Sequence, residues 1–369
     1  MSNNWDVIVV GAGPGGSLAA KKCAAHGLKT LLVEKKKTPR DKVCSGMVMG
    51  EWAQKILVDE FGEIPDDVLV EPKNLLGYAV HVPGAPIQTL DVNTPITWRK
   101  RLDYWMNQMA QSSGAEIWDN TRVTDVTEKD GRYTVELRRD GNLYRVNSDF
   151  VIGADGARSA VRGSLFPEIK TTYWHCYREC YDVKLDLPER RFNFFSTIET
   201  APFYFCTHDK GGYMLMEGGS AIGTIKDTIA QSRQFLIDHH GLYANIEPLW
   251  RDGCVEPILY RELFTGEFRP ARGNALIIGD AAGLNMPVTG EGVGTSLKSG
   301  LDAAKSIIQS EETGDKSDIT YLQTIDELVA KFQDIYAFSR RIKAAATENN
   351  PKALSDALLE SWDHSLKLY

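Results

Sequence analysis

Apolar and polar positions along this chain change period several times. Residues 6–10, DVIVV, are a near-continuous β-branched run, the pattern of a strand buried on both faces. A glycine-rich turn follows, then an alanine-rich stretch that predicts a helix to about His26, and a second buried strand at Thr30–Val33. LLGYAVHV and PIQTLDV predict a hairpin over 75–97. RKRLDYWMNQMAQSSGAEI predicts a helix with Leu102, Trp105, Met106 and Met109 on one face. Strands are expected near 122–127, 132–138 and 143–152, separated by the turn residues Lys129-Asp130-Gly131 and Asp140-Gly141. Residues 165–270 are rich in Tyr, Phe and Thr and show helical periodicity only near 227–240, so they read as a mostly antiparallel sheet. NALIIGDAAG is another buried strand, ending in Gly-Asp. A helix is expected from Gly292 to about Gln309, and a helical tail beyond Gly314 breaks at Asn349-Asn350-Pro351.

The first strand, turn, helix and second strand make a βαβ unit, and the turn carries GAGPGG. Gly11, Gly13 and Gly16 satisfy G-x-G-x-x-G, with Pro14 and Gly15 between them, and Glu34 closes the second strand, followed by Lys35. Gly11 permits the tight turn, Gly13 lets backbone approach a pyrophosphate, and Gly16 lets helix and strand pack closely. An acid at Glu34 can accept hydrogen bonds from the ribose and disfavours a 2′-phosphate, so the expected ligand is FAD or NAD.

Composition narrows the classes. The 369 residues are 43% hydrophobic with net charge −8, which supplies no basic surplus for nucleic acid. No apolar run approaches the ~20 residues that span a bilayer, and Met1 to Asp6 carry no signal-peptide core. A cytoplasmic protein with at most peripheral membrane contact is expected. The six cysteines lack paired metal spacing, so neither a metal site nor a disulfide framework is expected.

Two further stretches have the logic of a long cofactor laid over a sheet. VIGADGARSAVR runs from a strand into Asp155 and Gly156. ALIIGDAAGLNMPVTGEGVGTSLKSGLDAA runs from a strand into Asp280, then Pro287, Gly290, Gly292, Val293 and Gly294. A carboxylate after a strand, Asp280, can hold ribityl hydroxyls. Backbone amides at a helix start can approach the flavin pyrimidine edge and favour negative charge there.

Together these motifs resemble the FAD-dependent oxidoreductases of the para-hydroxybenzoate hydroxylase fold, and most closely the geranylgeranyl reductase family. The details are Arg40-x-Lys42-x-Cys44, Arg99 four residues before Asp103, and Pro287-x-x-Gly290-Glu291-Gly292 with Ser299-Gly300, in a likeness running from residue 5 to about 310. Cys44-Ser45-Gly46 stands where the family commonly has Cys-Gly, and YMLMEG keeps only the tyrosine of its Tyr-x-Trp-x-Phe-Pro signature. The resemblance implies an α/β fold: a Rossmann-like FAD domain from 1–74, 97–164 and 271–310, an inserted, mostly antiparallel substrate domain from 75–96 and 165–270, and a helical segment over 311–369. It implies that Arg99 and Val123 lie near the FAD, and that the segment with Arg40, Cys44 and Ser45 folds back towards the flavin ring.

The expected function is a reductase passing hydride from reduced FAD to an unsaturated, isoprenoid or otherwise hydrophobic substrate. The alternatives are a monooxygenase of the same fold, or a flavoprotein passing electrons to a quinone or partner. No second G-x-G-x-x-G exists, so the electron donor, NAD(P)H or a small redox protein, binds transiently. Cys44 is the catalytic candidate, as proton donor or redox partner. Glu217 amid methionines, with Tyr213 and Leu215, is expected to line a substrate pocket. Cys176, Cys180, Cys206 and Cys254 are expected to be buried packing residues.

Overall fold

The computed structural model describes residues 4–197, 204–221 and 224–369. The chain begins with β1 (Asn4–Val10), α1 (Pro14–Ala25) and β2 (Thr30–Val33), as the pattern predicts. It then adds α2 (Glu51–Phe61), which was not expected, before β3 (Leu69–His81), β4 (Gln88–Thr97) and α3 (Arg99–Ser112). β5 (Glu116–Trp118), β6 (Thr121–Lys129), β7 (Arg132–Arg139), β8 (Asn142–Gly153) and α4 (Ala160–Leu165) complete the first half. The middle carries β9 (Thr172–Tyr181), β10 (Arg191–Phe195), β11 (Phe205–Lys210), β12 (Tyr213–Ala221), α5 (Ile225–His240), β13 (Trp250–Ile258) and α6 (Tyr260–Phe264). β14 (Ala271–Arg272), β15 (Ala275–Ile277), a 3-10 turn at Gly279–Ala282, α7 (Val293–Thr313), α8 (Ser317–Thr347) and α9 (Pro351–Leu366) close the chain.

Two sheets result. In the first, β15, β8, β1, β2 and β5 run parallel in that order, β14 lies outside β15, and β7 and β6 extend from the near half of β8. The parallel strands are buried on both faces, as their continuous apolar sequences require; Val7, Ile8 and Val9 are all 0% exposed. The second sheet has the order β13-β9-β12-β11-β10-β3-β4 and is antiparallel except where β10 joins β3. β3 already begins at Leu69, ahead of the boundary expected at 75, so the second sheet takes more of the chain than its apolar run suggests.

Helix α1 crosses α7 through glycine: a Cβ on Gly300 would lie 2.4 Å from the Gly15 carbonyl oxygen. The tail is not a separate appendage. Tyr321 of α8 donates to the Ile277 carbonyl at 2.7 Å, and α9 places Leu354, Leu358, Trp362 and Leu366 in one core with Tyr78, Phe192 and Phe194 of the second sheet. A cavity of about 980 Å³ opens at the C-terminal ends of β1, β2 and β8, where an open α/β sheet binds its ligands, and extends along the second sheet.

Candidate functional site

Gly11 leaves β1 with φ +106°, and a Cβ there would meet the Ala154 carbonyl oxygen at 2.2 Å, so the turn is closed to any side chain. Gly13 then caps α1. The helix has no side-chain cap and no acid in its first turn, so its dipole favours an anion there, although the Gly15 amide already donates to Ser296 Oγ at 3.2 Å. Around Gly13 the nearest atoms to a built Cβ are the guanidinium nitrogens of Arg40 and Arg99, at 3.8 and 3.9 Å. Asp103 holds both: Arg99 Nε at 2.7 Å and Arg40 Nη1 at 3.2 Å. Burial pulls the Arg99 pKa down, but Asp103 overcomes it and holds it above the usual arginine value. Glu34 accepts from the Ala12 and Lys36 amides at 3.2 and 3.0 Å and pairs with Arg40 at 2.9 Å.

An uncapped helix start facing two fixed guanidinium groups, over a glycine whose Cβ would fill the gap, fits a pyrophosphate. Gly11, Gly13, Pro14, Glu34, Lys35, Arg40, Arg99, Val123, Asp155, Gly156, Asp280, Gly290, Gly292 and Val293 all line this one cavity. Four of the expected contacts do not. Gly15 and Gly16 serve packing, with built Cβ atoms 2.3 Å from the Ser296 carbonyl oxygen and 1.9 Å from that of Gly11. Gly294 packs against Trp52 and Ala53 of α2, and Pro287 is absent from the lining. The start of α7 is also less open than expected, because Glu291 accepts from the Gly294 amide at 2.5 Å.

Asp155 turns inward. Its oxygens accept from Ser159 Oγ at 2.5 Å and the Ala160 amide at 2.6 Å, which closes the turn before α4. Arg162 of α4 donates to the carbonyls of Ala157 and Ala281, tying the second motif to the third. Asp280 faces the cavity with Lys42 Nζ 3.8 Å away. Replacing Asp280 by alanine is expected to remove a charge-assisted acceptor worth about 1.5–3 kcal/mol and weaken FAD retention roughly 10- to 100-fold. Cofactor content after dialysis measures it, and retention equal to wild type would reassign Asp280.

The loop carrying Cys44 is stitched into place from the second sheet. Gly46 adopts φ +79°, and its carbonyl accepts from the Thr97 amide at 2.8 Å and the Thr97 hydroxyl at 2.9 Å. Arg178 of β9 donates to the Cys44 carbonyl at 2.7 Å, and Lys210 of β11 donates to the Ser45 carbonyl. Ser45 Oγ donates to Glu217 of β12 at 2.6 Å. Arg178 is fixed by both oxygens of Asp252, at 2.9 and 2.7 Å, and its guanidinium lies 3.9 Å from Glu217. Burial raises the Glu217 carboxyl above the usual range. Burial also lowers the fully enclosed Lys210 ammonium to about 7, with the Trp98 ring 4.1 Å away. Cys44 is half-buried on the cavity wall, and its thiol accepts from the Gly46 amide at 3.4 Å.

The structure therefore gathers Cys44, Ser45 and Glu217, and adds Arg178, Lys210, Trp98 and Asp252, which the sequence reading did not single out. Tyr213 and Leu215 do not join them. Both share Glu217's strand face, but each step of two residues moves about 7 Å along the strand. Leu215 is buried beyond the cavity and Tyr213 is 41% exposed at the hairpin turn. The expectation of four packing cysteines also needs correction. Cys180 and Cys206 are buried, whereas Cys176 and Cys254 are half-buried on the cavity wall.

Residues 6–157 match the family described as FAD dependent oxidoreductase. The chain is an FAD-dependent oxidoreductase. This flavoenzyme is related to the geranylgeranyl reductases. It is 26% identical over 334 residues to a digeranylgeranylglycerophospholipid reductase of Thermoplasma volcanium, covering 85% of this chain and 80% of that one. A geranylgeranyl bacteriochlorophyll reductase-like protein of Thermoplasma acidophilum superposes with TM-score 0.77 at 19% identity, over 98% and 96% of the two chains. A flavin-dependent brominase superposes with TM-score 0.73 at 18% identity, over 98% and 94%. At such identities the two superpositions show the fold of this flavoenzyme, a Rossmann-like sheet with a second antiparallel sheet and C-terminal helices.

Proposed function

We propose that this flavoenzyme is a reductase that adds hydrogen across a carbon–carbon double bond of an isoprenoid lipid. The observation that carries the reading is the proton-holding group beside the cofactor cavity: Glu217, raised by burial and bonded to Ser45 at 2.6 Å, next to the Cys44 thiol. FAD, once reduced, supplies the electron pair. The chain's residues supply the rest. The helix start at Gly13 with Arg40 and Arg99 binds the pyrophosphate, and Glu34 and Asp280 bind the sugar hydroxyls. Cys44 or Glu217 places a proton on the substrate carbon. Phe192, Tyr204, Met286, Val288 and Tyr336 give the remaining wall an apolar face suited to a hydrocarbon chain. The names of the relatives support the same substrate class. A nicotinamide or small redox protein is the proposed transient donor. Among the described residues no helix is long and apolar enough to cross a membrane, so a lipid substrate would be met from one side.

The test is anaerobic. Chemically reduced holoenzyme mixed with a geranylgeranyl glycerolipid is expected to give lipid heavier by two hydrogens per reduced bond, with flavin oxidised in step. Lipid left unchanged without O₂ but oxygenated in its presence would overturn the reading in favour of a monooxygenase.

A further inference from the structure

Cys176 stands in the middle of β9 and Cys254 in the middle of β13, directly opposite each other in the antiparallel register. Directly opposed residues have Cα atoms about 4.5–5.5 Å apart, inside the ~4.4–6.8 Å span of disulfides. Both thiols are free, half-buried and on the cavity wall. Glu256, two residues after Cys254, lies on the same strand face and lines the same cavity. Lys42 comes from the Cys44 loop to within electrostatic reach of Cys254.

We propose that Cys176 and Cys254 are a redox-active pair that closes reversibly into a cross-strand disulfide by exchange with small thiol–disulfide couples. The surroundings divide the labour. The neighbouring Cys176 thiol and the charge of Lys42 hold the Cys254 thiol below its ordinary value, against burial. The neighbouring Cys254 thiol and burial raise Cys176, which keeps its proton. Burial pushes the Glu256 carboxyl up to about 7, a value suited to accepting a thiol proton near neutrality.

The exchange balances in two steps. The Cys254 thiolate attacks a small disulfide, forming a mixed disulfide and releasing one thiolate. Cys176 passes its proton to Glu256 and attacks the Cys254 sulfur, releasing the second thiolate, which takes the proton back from Glu256 as it leaves. The protein loses two hydrogens, and the small disulfide is reduced to two thiols. Neither step uses FAD, so the pair stands or falls apart from the reductase reading.

The test is incubation of the native, purified protein with glutathione disulfide, followed by intact mass measurement and non-reducing peptide mapping. The expected product is lighter by two hydrogens, joins Cys176 to Cys254, retains no glutathione, and reverts with dithiothreitol. Cys176→Ser is expected to stop with glutathione on Cys254, and Cys254→Ser to leave Cys176 unmodified. A protein that stays fully reduced overturns the proposal. So does glutathione on both cysteines without a link, or a link from Cys254 to Cys44, the other thiol close to Lys42.

Discussion

Gly13→Val is expected to give a folded, colourless protein. The backbone at Gly13, φ −82° and ψ −177°, is extended and open to valine, and no atom stands closer than 3.8 Å to a built Cβ. The added methyls would instead occupy the gap between the start of α1 and the two guanidinium groups. A pyrophosphate kept out of that gap loses at least two charge-assisted hydrogen bonds, about 3–6 kcal/mol together, or roughly 10²- to 10⁴-fold in affinity. Gly16→Ala is the contrasting case. Its Cβ would lie 1.9 Å from the Gly11 carbonyl oxygen, so helix and strand must part, at about 1–3 kcal/mol of stability. Thermal melting of the apoproteins and FAD titration separate the two effects. A Gly13→Val protein that melts like wild type and still binds FAD at wild-type affinity would remove the pyrophosphate from this helix start.

That contrast also marks where the sequence was legible. Gly11, Gly13, Gly16 and Glu34 lie within one βαβ unit, where local rules of turn, helix start and strand end decide their places. The antiparallel middle was legible as a class from its Tyr, Phe and Thr content. The cluster around Cys44 was not, because its members meet across the fold: Arg178 is 134 residues from Cys44, Lys210 165 from Ser45, and Glu217 172 from Ser45. Lys210 sits in HDKGG, which reads as a solvated turn, yet its fixed position on β11 buries it under Trp98. Alternation within a strand says which residues share a face and not how far the cavity reaches along it, so Glu217 lies on the cavity wall and Leu215, on the same face, does not. Cys176 and Cys254 belong to strands far apart in sequence, and only the pairing of β9 with β13 makes them neighbours.

Cys44→Ser and Glu217→Gln are expected to lower turnover by about 10²- to 10⁴-fold for whichever residue gives up the proton, and much less for the other. Serine nearly preserves the size of Cys44 and can still accept from the Gly46 amide, which donates to the thiol at 3.4 Å, while the Cys44 and Ser45 carbonyls keep their own partners, so FAD binding should persist in that variant. Glutamine can still accept from Ser45 but has no proton to lose. The pH profile separates the two. Burial raises Glu217, so an acid at this position stays protonated above the ordinary carboxyl range and is lost as pH rises through its raised pKa. If Glu217 is the donor, the rate falls about tenfold per pH unit beyond that point, and Glu217→Gln leaves a low, flat profile. Lys210 broadens the limb, because burial lowers it to about 7 and its charge, which favours the ionised carboxylate, fades as pH rises through that value. If Cys44 is the donor, Glu217→Gln keeps most of the activity while Cys44→Ser loses it, with the rate of flavin reduction unchanged. Full turnover in both variants would leave the cluster a binding role alone and transfer the proton step to Glu256, another raised carboxyl on the cavity wall.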